Sequence, residues 1–148
     1  MQLAWSTFTR GDELVSEVRP FTVDSFYKFI DEDKLMAAKC SKCGALHLPP
    51  RPVCTNCFSK DLAWVPVSNK GKLLTYTVIH VAPKQFETLT PYSIGIVKLD
   101  DGPQLLGMIQ HTTPDKLKIG MALTIEHEKP TNTQTKWPTW PRYHFKPT

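Results

Sequence analysis

Cys40-Ser41-Lys42-Cys43-Gly44-Ala45-Leu46-His47-Leu48-Pro49-Pro50-Arg51-Pro52-Val53-Cys54-Thr55-Asn56-Cys57 decides the reading of this chain, because it holds two C-x-x-C pairs and all four cysteines of the 148 residues. Two thiolates separated by two residues turn inward from one tight knuckle, and two facing knuckles complete a tetrahedron around a metal ion. Gly44 gives the first knuckle a permissive backbone. The second has no glycine, and Asn56, which tolerates left-handed geometry, is the expected substitute. Two disulfides or a redox C-x-x-C are the competing readings. Disulfides suit a secreted chain, but Met1-Gln2-Leu3-Ala4-Trp5 shows no basic region followed by an apolar stretch, so reduced thiols and a cytoplasmic location are expected. A thioredoxin-like motif needs a strand-to-helix setting, which Leu48-Pro49-Pro50-Arg51-Pro52 denies it. The pattern therefore predicts a structural metal on Cys40, Cys43, Cys54 and Cys57, zinc ahead of iron, although four thiolates suit both.

Four cysteine ligands leave no open coordination position, so such a metal cannot activate a water. Its contribution is to folding, where a short segment buries too little apolar surface and metal binding supplies about 10 to 16 kcal/mol.

Upstream of the cysteines, Phe26, Phe29 and Ile30 recur at helical spacing behind Asp24 or Ser25 as N-cap, predicting an amphipathic helix to about Asp33. Asp12 to Val18 reads as a short helix or an arm ending before Pro20. Around the cysteines, short strands are expected near Leu35 to Lys39, Ala45 to Leu48 and Leu62 to Val67, the layout of a zinc ribbon. Downstream the pattern becomes all strand. Lys72 to Val81 is rich in β-branched and aromatic residues, and Tyr92 to Leu99 joins Gln104 to Ile109 through Asp100-Asp101-Gly102, a strong hairpin signal. Ala122 to Glu128 and a final Tyr143-His144-Phe145 make five strands, which suits a small Greek-key barrel of the oligonucleotide/oligosaccharide-binding (OB) type. Gly95 and Gly107 sit inside these strands, where glycine often marks a bend or bulge. The fold class is thus mainly β, divided into an N-terminal helical segment over 1–34, a zinc ribbon over 35–68 and an OB barrel over 69–148.

Charge selects little. The net charge of +4 permits an anionic partner, but no run of five basic residues exists to make an electrostatic nucleic-acid arm. No apolar run approaches the roughly 20 residues of a membrane helix. Two loops carry large apolar side chains: Phe86 between Pro83 and Pro91, and Trp137 and Trp140 between Pro130 and Pro141. Such residues either pin a loop to its own core or meet a ligand or partner.

The order of these features resembles a known family. A helix with aromatics precedes C-x-x-C-G, Pro50-Arg51, the second C-x-x-C, Trp64, and Lys70-Gly71-Lys72 opening a strand that ends Thr77-Val78-Ile79-His80. Pro91-Tyr92, Leu99-Asp100-Asp101-Gly102, Ile119-Gly120-Met121 and Tyr143-His144-Phe145-Lys146-Pro147 follow. Roughly Thr22 to Pro147 is similar to the acyl-CoA-associated proteins that join a rubredoxin-like zinc ribbon to an OB-fold, once catalogued as a domain of unknown function. The resemblance implies an accessory role in lipid metabolism. Members accompany thiolase-like enzymes, including the acetoacetyl-CoA thiolase and HMG-CoA synthase pair of the archaeal mevalonate pathway, and help hold the CoA portion of a shared intermediate. The metal role carries over to the four cysteines, while Arg51 and Lys70 as phosphate contacts and Phe86 on the apolar arm of an acyl-CoA are the expected ligand residues.

A noncatalytic role fits the residues independently. Thiolase chemistry needs a nucleophilic cysteine, and none remains once the metal site is filled. No G-x-S-x-G, H-E-x-x-H, Gly-rich phosphate loop or dinucleotide fingerprint appears, and the five histidines are dispersed, each expected as a surface or strand residue. The alternative is a single-stranded nucleic-acid module, for which Tyr76 and Tyr92 would be the stacking platforms.

Overall fold

A computed structural model describes residues 19–128 and 143–148. Asp12 to Val18, Trp137 and Trp140 lie outside the described residues.

The helix α1 spans Val23–Asp31, with Thr22 as N-cap in extended conformation, its hydroxyl accepting from the Ser25 N–H. The cap therefore sits earlier than expected. Asp24 instead occupies the first turn, where it meets the positive end of the helix dipole and pairs with Lys28 at 3.4 Å, while Ser25 is buried. The helix also stops two residues short of Asp33, which adopts φ +60°. The Asp33 N–H donates to the Ile30 carbonyl and the Lys34 N–H to the Phe29 carbonyl, the two bonds of a Schellman stop.

Next come β1 (Met36–Cys40), β2 (Leu46–His47) and β3 (Leu62–Pro66), an antiparallel sheet in the order β2-β1-β3. Register pairs Ala38 with His47 on one side and with Trp64 on the other. Both C-x-x-C turns thus emerge at the end where β1 closes, away from the barrel.

The barrel follows as β4 (Lys70–Ile79), β5 (Tyr92–Leu99), β6 (Gln104–Ile109), β7 (Ala122–His127) and β8 (Tyr143–Pro147), closed in the order β4-β5-β6-β8-β7. Closure rests on a parallel contact of β6 and β8, where Ile109 faces Phe145 and the Gln110 N–H donates to the Phe145 carbonyl at 2.8 Å. All neighbours except that pair are antiparallel. This is the five-stranded OB barrel that the strand count and the Asp100-Asp101-Gly102 hairpin predict.

Gly95 and Gly107 face one another across β5 and β6 in unbroken register, so neither is a bulge. The irregularity lies at Leu74, between Leu73 and Thr75. The glycines are there for space: a Cβ on Gly95 would lie 2.7 Å from Leu73 Cδ1, and one on Gly107 2.7 Å from Phe145 Cε2.

One apolar cluster runs through all three segments. Phe26 and Ile30 of α1 and Leu35, Ala37 and Leu48 of the ribbon join Leu73, Val97, Leu105, Leu123, Tyr143 and Phe145 of the barrel. Phe26 meets Tyr143 edge to face at 6.1 Å. Among the described residues, no helix is long and apolar enough to cross a membrane.

Candidate metal centre and ligand groove

The four cysteines come together from two knuckles of matching hydrogen-bond pattern. In the first, the Gly44 N–H donates to the Cys40 carbonyl at 2.9 Å and the Cys40 N–H to the Ala45 carbonyl at 2.9 Å. In the second, the Phe58 N–H donates to the Cys54 carbonyl at 3.0 Å and the Cys54 N–H to the Ser59 carbonyl at 2.9 Å. The left-handed residue of each turn follows its second cysteine, at φ +74° for Gly44 and +58° for Phe58. Asn56, expected in that role, lies two positions too early, between the two cysteines of the knuckle. Its N–H points at Cys54 Sγ, 3.4 Å away. The strained position thus falls on an aromatic residue that is 80% exposed.

Cys40 Sγ is 3.5 Å from Cys57 Sγ, Cys43 Sγ is 3.5 Å from Cys54 Sγ, and all four sulfurs lie within 4.8 Å of one another. A tetrahedron built with Zn–S bonds of about 2.3 Å has edges of about 3.8 Å, so the donor set fits a four-coordinate thiophilic metal. Cys40 and Cys54 are buried, and Cys43 and Cys57 face solvent. The thiols are already unequal without an ion. The Ala45 N–H and then the Asn56 side chain hold Cys43 down at about 6. The Cys43 N–H lowers Cys40. At Cys57 the Ser59 N–H pulls down, but the Cys40 sulfur, burial and the other two sulfurs outweigh it and push the thiol up to about 12. Four thiolates in so small a volume repel, and only a cation stabilises the last ionisation.

His47 enters this site, which its dispersed position in the sequence did not suggest. Pairing of β2 with β1 places its Nε2 3.3 Å from Cys54 Sγ, where a protonated Nε2 donates to the thiolate. The signal available was its alternation with the first knuckle, which only the strand register makes legible.

Of the three expected ligand residues, Lys70 and Phe86 do not converge. Arg51 is exposed on the loop after β2, and Lys70 is exposed at the start of β4. Phe86 follows the far end of β4, a strand of 10 residues that spans roughly 30 Å. Lys70 and Phe86 therefore belong to opposite ends of the barrel. Phe86 is half-buried and packs its ring on Tyr92 at 6.3 Å. Beside that pair opens a groove of about 270 Å³, lined by Leu89, Tyr92, Met108, Gln110, His111 and Pro114 among others. A smaller hollow of about 170 Å³ lies on the outer face of β4 to β6, against Ile94, Ile96 and Leu106. The tyrosines that a nucleic-acid face would need are both half-buried: the Tyr76 hydroxyl donates to the Leu117 carbonyl at 3.2 Å, and Tyr92 is packed by Phe86.

Comparison with known proteins reproduces this architecture. The ChsH2 rubredoxin-like zinc ribbon domain matches residues 28–63, and the ChsH2 C-terminal OB-fold domain matches residues 64–127. A DUF35 domain-containing scaffold protein of Methanocaldococcus jannaschii is 40% identical over 88 residues, 59% of this chain and 62% of that protein. One of Pyrococcus furiosus is 31% identical over 112 residues, 75% of this chain and 82% of that protein. The benzoylsuccinyl-CoA thiolase subunit BbsA of Thauera aromatica is 29% identical over 76 residues, 51% of each chain. Among solved structures, the Ltp2-ChsH2(DUF35) aldolase superposes with a TM-score of 0.68 at 26% identity, covering 84% of this chain and 92% of the other. The match with the Methanocaldococcus protein leaves more than a third of that relative's length unmatched, whereas four fifths of the Pyrococcus protein is spanned. With ribbon and barrel both matched in order, the chain belongs to the family of DUF35 domain-containing scaffold proteins.

Proposed function

We propose that this chain is a noncatalytic accessory subunit that docks on a thiolase-superfamily enzyme and helps hold or channel a CoA-linked intermediate. The observation that carries the reading is the gathering of all four thiols of the chain into one site. Cys40, Cys43, Cys54 and Cys57 would hold zinc, which with four sulfur ligands supplies folding energy and no Lewis-acid position. The nucleophile of acyl transfer then comes from the partner, and relatives named as scaffold proteins and as a thiolase subunit support that division of labour.

The groove beside Phe86 suits the apolar arm of an acyl-pantetheine. Its volume of about 270 Å³ falls just below the 300 to 1,000 Å³ of sites that enclose a ligand alone, as expected of a surface completed by a second protein. Holding the thioester there raises its effective concentration at the partner's thiolate. Arg51 and Lys70 offer cations for CoA phosphates, and the separation of Lys70 from Phe86 favours Lys70 acting across the docked interface rather than within the groove. Phe58, exposed on the second knuckle, is an aromatic anchor for the same interface. HMG-CoA synthase is the second partner in this reading, acting in the cytoplasm within the mevalonate branch of lipid metabolism, and the division 1–34, 35–68 and 69–148 separates the packing helix, docking arm and ligand barrel.

The test is co-elution of the zinc-loaded chain with a purified acetoacetyl-CoA thiolase, with and without HMG-CoA synthase, alongside calorimetry with acetyl-CoA. Co-elution together with acetyl-CoA binding that strengthens in the complex is expected. Independent elution with no heat of binding in either setting rejects the proposal.

A further inference from the structure

We propose that His111, His144 and Glu126 form a second metal site, separate from the cysteine cluster, that takes a divalent first-row transition ion through two imidazoles and one carboxylate. The site is built by strand register. Antiparallel pairing of β7 and β8 sets Glu126 directly opposite His144, and the period of two puts Glu128 on the same face as Glu126. His111 arrives from the other side, just beyond β6, held at φ +58°.

The nitrogen atoms converge on a single oxygen. His144 Nε2 is 3.1 Å and His111 Nε2 3.8 Å from Glu126 Oε2, and the three donor atoms all lie within 4.8 Å of one another. Two imidazoles competing for one carboxylate oxygen leave the second contact too long for a hydrogen bond. A cation with bonds of about 2.0 to 2.2 Å to each atom needs donors about 3.3 Å apart, and a shift of about half an ångström by the exposed His111 brings its Nε2 to that distance from Glu126 Oε2. The donor set of two histidines and one carboxylate, with positions left for water, suits zinc and its neighbours rather than magnesium or calcium.

The surroundings orient the ligands as a metal site requires. His144 is 4% exposed, and its other ring nitrogen, Nδ1, lies 2.7 Å from Glu128 Oε1. That contact is off the line of a hydrogen bond, so Nδ1 has no bonded partner until the carboxylate rotates slightly. The arrangement is that of a carboxylate backing a metal-bound histidine through its second nitrogen. Gln110 Nε2 donates to the same Glu128 oxygen at 3.3 Å. Lys146 Nζ binds Glu126 Oε1 at 3.0 Å, which fixes that carboxylate with Oε2 turned to the imidazoles. The lysine also places a positive charge nearby, so this site is weaker than a tetrathiolate and fills second. Since His111 also lines the groove beside Tyr92, occupancy here stiffens one wall of that groove.

The test begins with the full chain loaded with ribbon zinc, titrated with cobalt(II) chloride at neutral pH. A further equivalent is expected whose visible bands lack thiolate-to-metal charge transfer, distinguishing it from exchange into the ribbon. His111→Ala and Glu126→Gln should each weaken that equivalent by about tenfold or more while leaving ribbon zinc unchanged. His144 is buried, so His144→Gln is compared only after circular dichroism matches the parent. No further equivalent in the parent chain, or a further equivalent that His111→Ala and Glu126→Gln both leave unchanged, overturns the proposal.

Discussion

The indole N–H of Trp64 donates to the backbone carbonyl of Arg19 at 2.8 Å, tying β3 of the ribbon to the segment that leads into α1, 45 residues earlier. Phe21 stacks on the same indole at 5.0 Å, Phe29 meets it edge to face at 4.9 Å, and the Arg19 guanidinium lies 4.5 Å over the Phe29 ring. One tryptophan thus organises both edges of the helix against the ribbon. Replacing it removes aromatic area together with a hydrogen bond, so Trp64→Ala should cost roughly 2 to 4 kcal/mol and Trp64→Phe about half of that. Urea unfolding of the zinc-loaded chain measures both. Equal stability in all three proteins would mean that α1 is not held by this indole.

Arg19 also pairs with Glu32, and that pair has a pH signature. The Arg19 hydrogen bond, aided by its charge and by Lys34, holds the Glu32 carboxyl below its ordinary value of 4.5. A carboxyl whose pKa is lowered on folding contributes stability above the unfolded pKa and loses it as pH falls through the folded one. Since metal binding by thiolates is itself pH-dependent, the informative quantity is a difference between variants. The stability gap between the parent and Glu32→Gln should be constant above about pH 5 and shrink below it, within the small range of a solvent-screened pair. A gap that widens on acidification contradicts the assignment.

The barrel interior gives a steric prediction. Phe145 is fully buried, and a Cβ on Gly107 would approach its ring to 2.7 Å. Gly107→Ala should therefore destabilise by about 1 to 3 kcal/mol, and Gly107→Ala combined with Phe145→Leu should recover part of the loss. Additive losses in the double variant would show that the strain lies elsewhere.

Gly107 also marks where sequence reading reached its limit. The strand count, the hairpin and the cysteine spacing are short-range signals, and each predicted its element. A glycine inside a strand has two explanations, a bulge or a close neighbour, and only the tertiary partner decides between them. The same holds for the cysteine cluster: the gathering of the four thiols was legible from spacing, whereas His47 needed the β1–β2 register. Phe58 was missed because a phenylalanine carries no propensity for φ +58°. The relative placement of Lys70 and Phe86 was legible least, since they are 16 positions apart on one strand and its loop, and distance along a strand is distance in space.

Phe58 predicts opposite effects on stability and docking. A non-glycine residue in the left-handed region costs about 1 to 2 kcal/mol, and an exposed ring recovers little of that by packing. Phe58→Gly should leave the isolated chain unchanged or up to about 1 kcal/mol more stable, the gain limited by the greater freedom of glycine in the unfolded chain. In the complex with a thiolase-superfamily enzyme, the same variant should bind at least about tenfold more weakly if the ring is an interface anchor. Loss of stability in the isolated chain, or unchanged docking, would argue that the ring serves the ribbon instead.

His47 separates metal affinity from metal stoichiometry. Its Nε2 stands 3.3 Å from Cys54 Sγ but adds no fifth ligand to the cluster, so it acts on the charge of the thiolate rather than on the coordination number. His47→Ala should retain one ribbon zinc and weaken it about 10- to 100-fold in competition with a chelator, whereas Cys54→Ser should remove it. Because Leu35, Ala37 and Leu48 of the ribbon pack into the shared apolar cluster, zinc loss should also loosen the barrel. Chelator-treated chain is expected to melt at a lower temperature in one transition, with His47→Ala reaching that state at lower chelator concentration than the parent. Two separated transitions, with the barrel melting unchanged, would show that ribbon and barrel fold independently and that the cluster does not couple them.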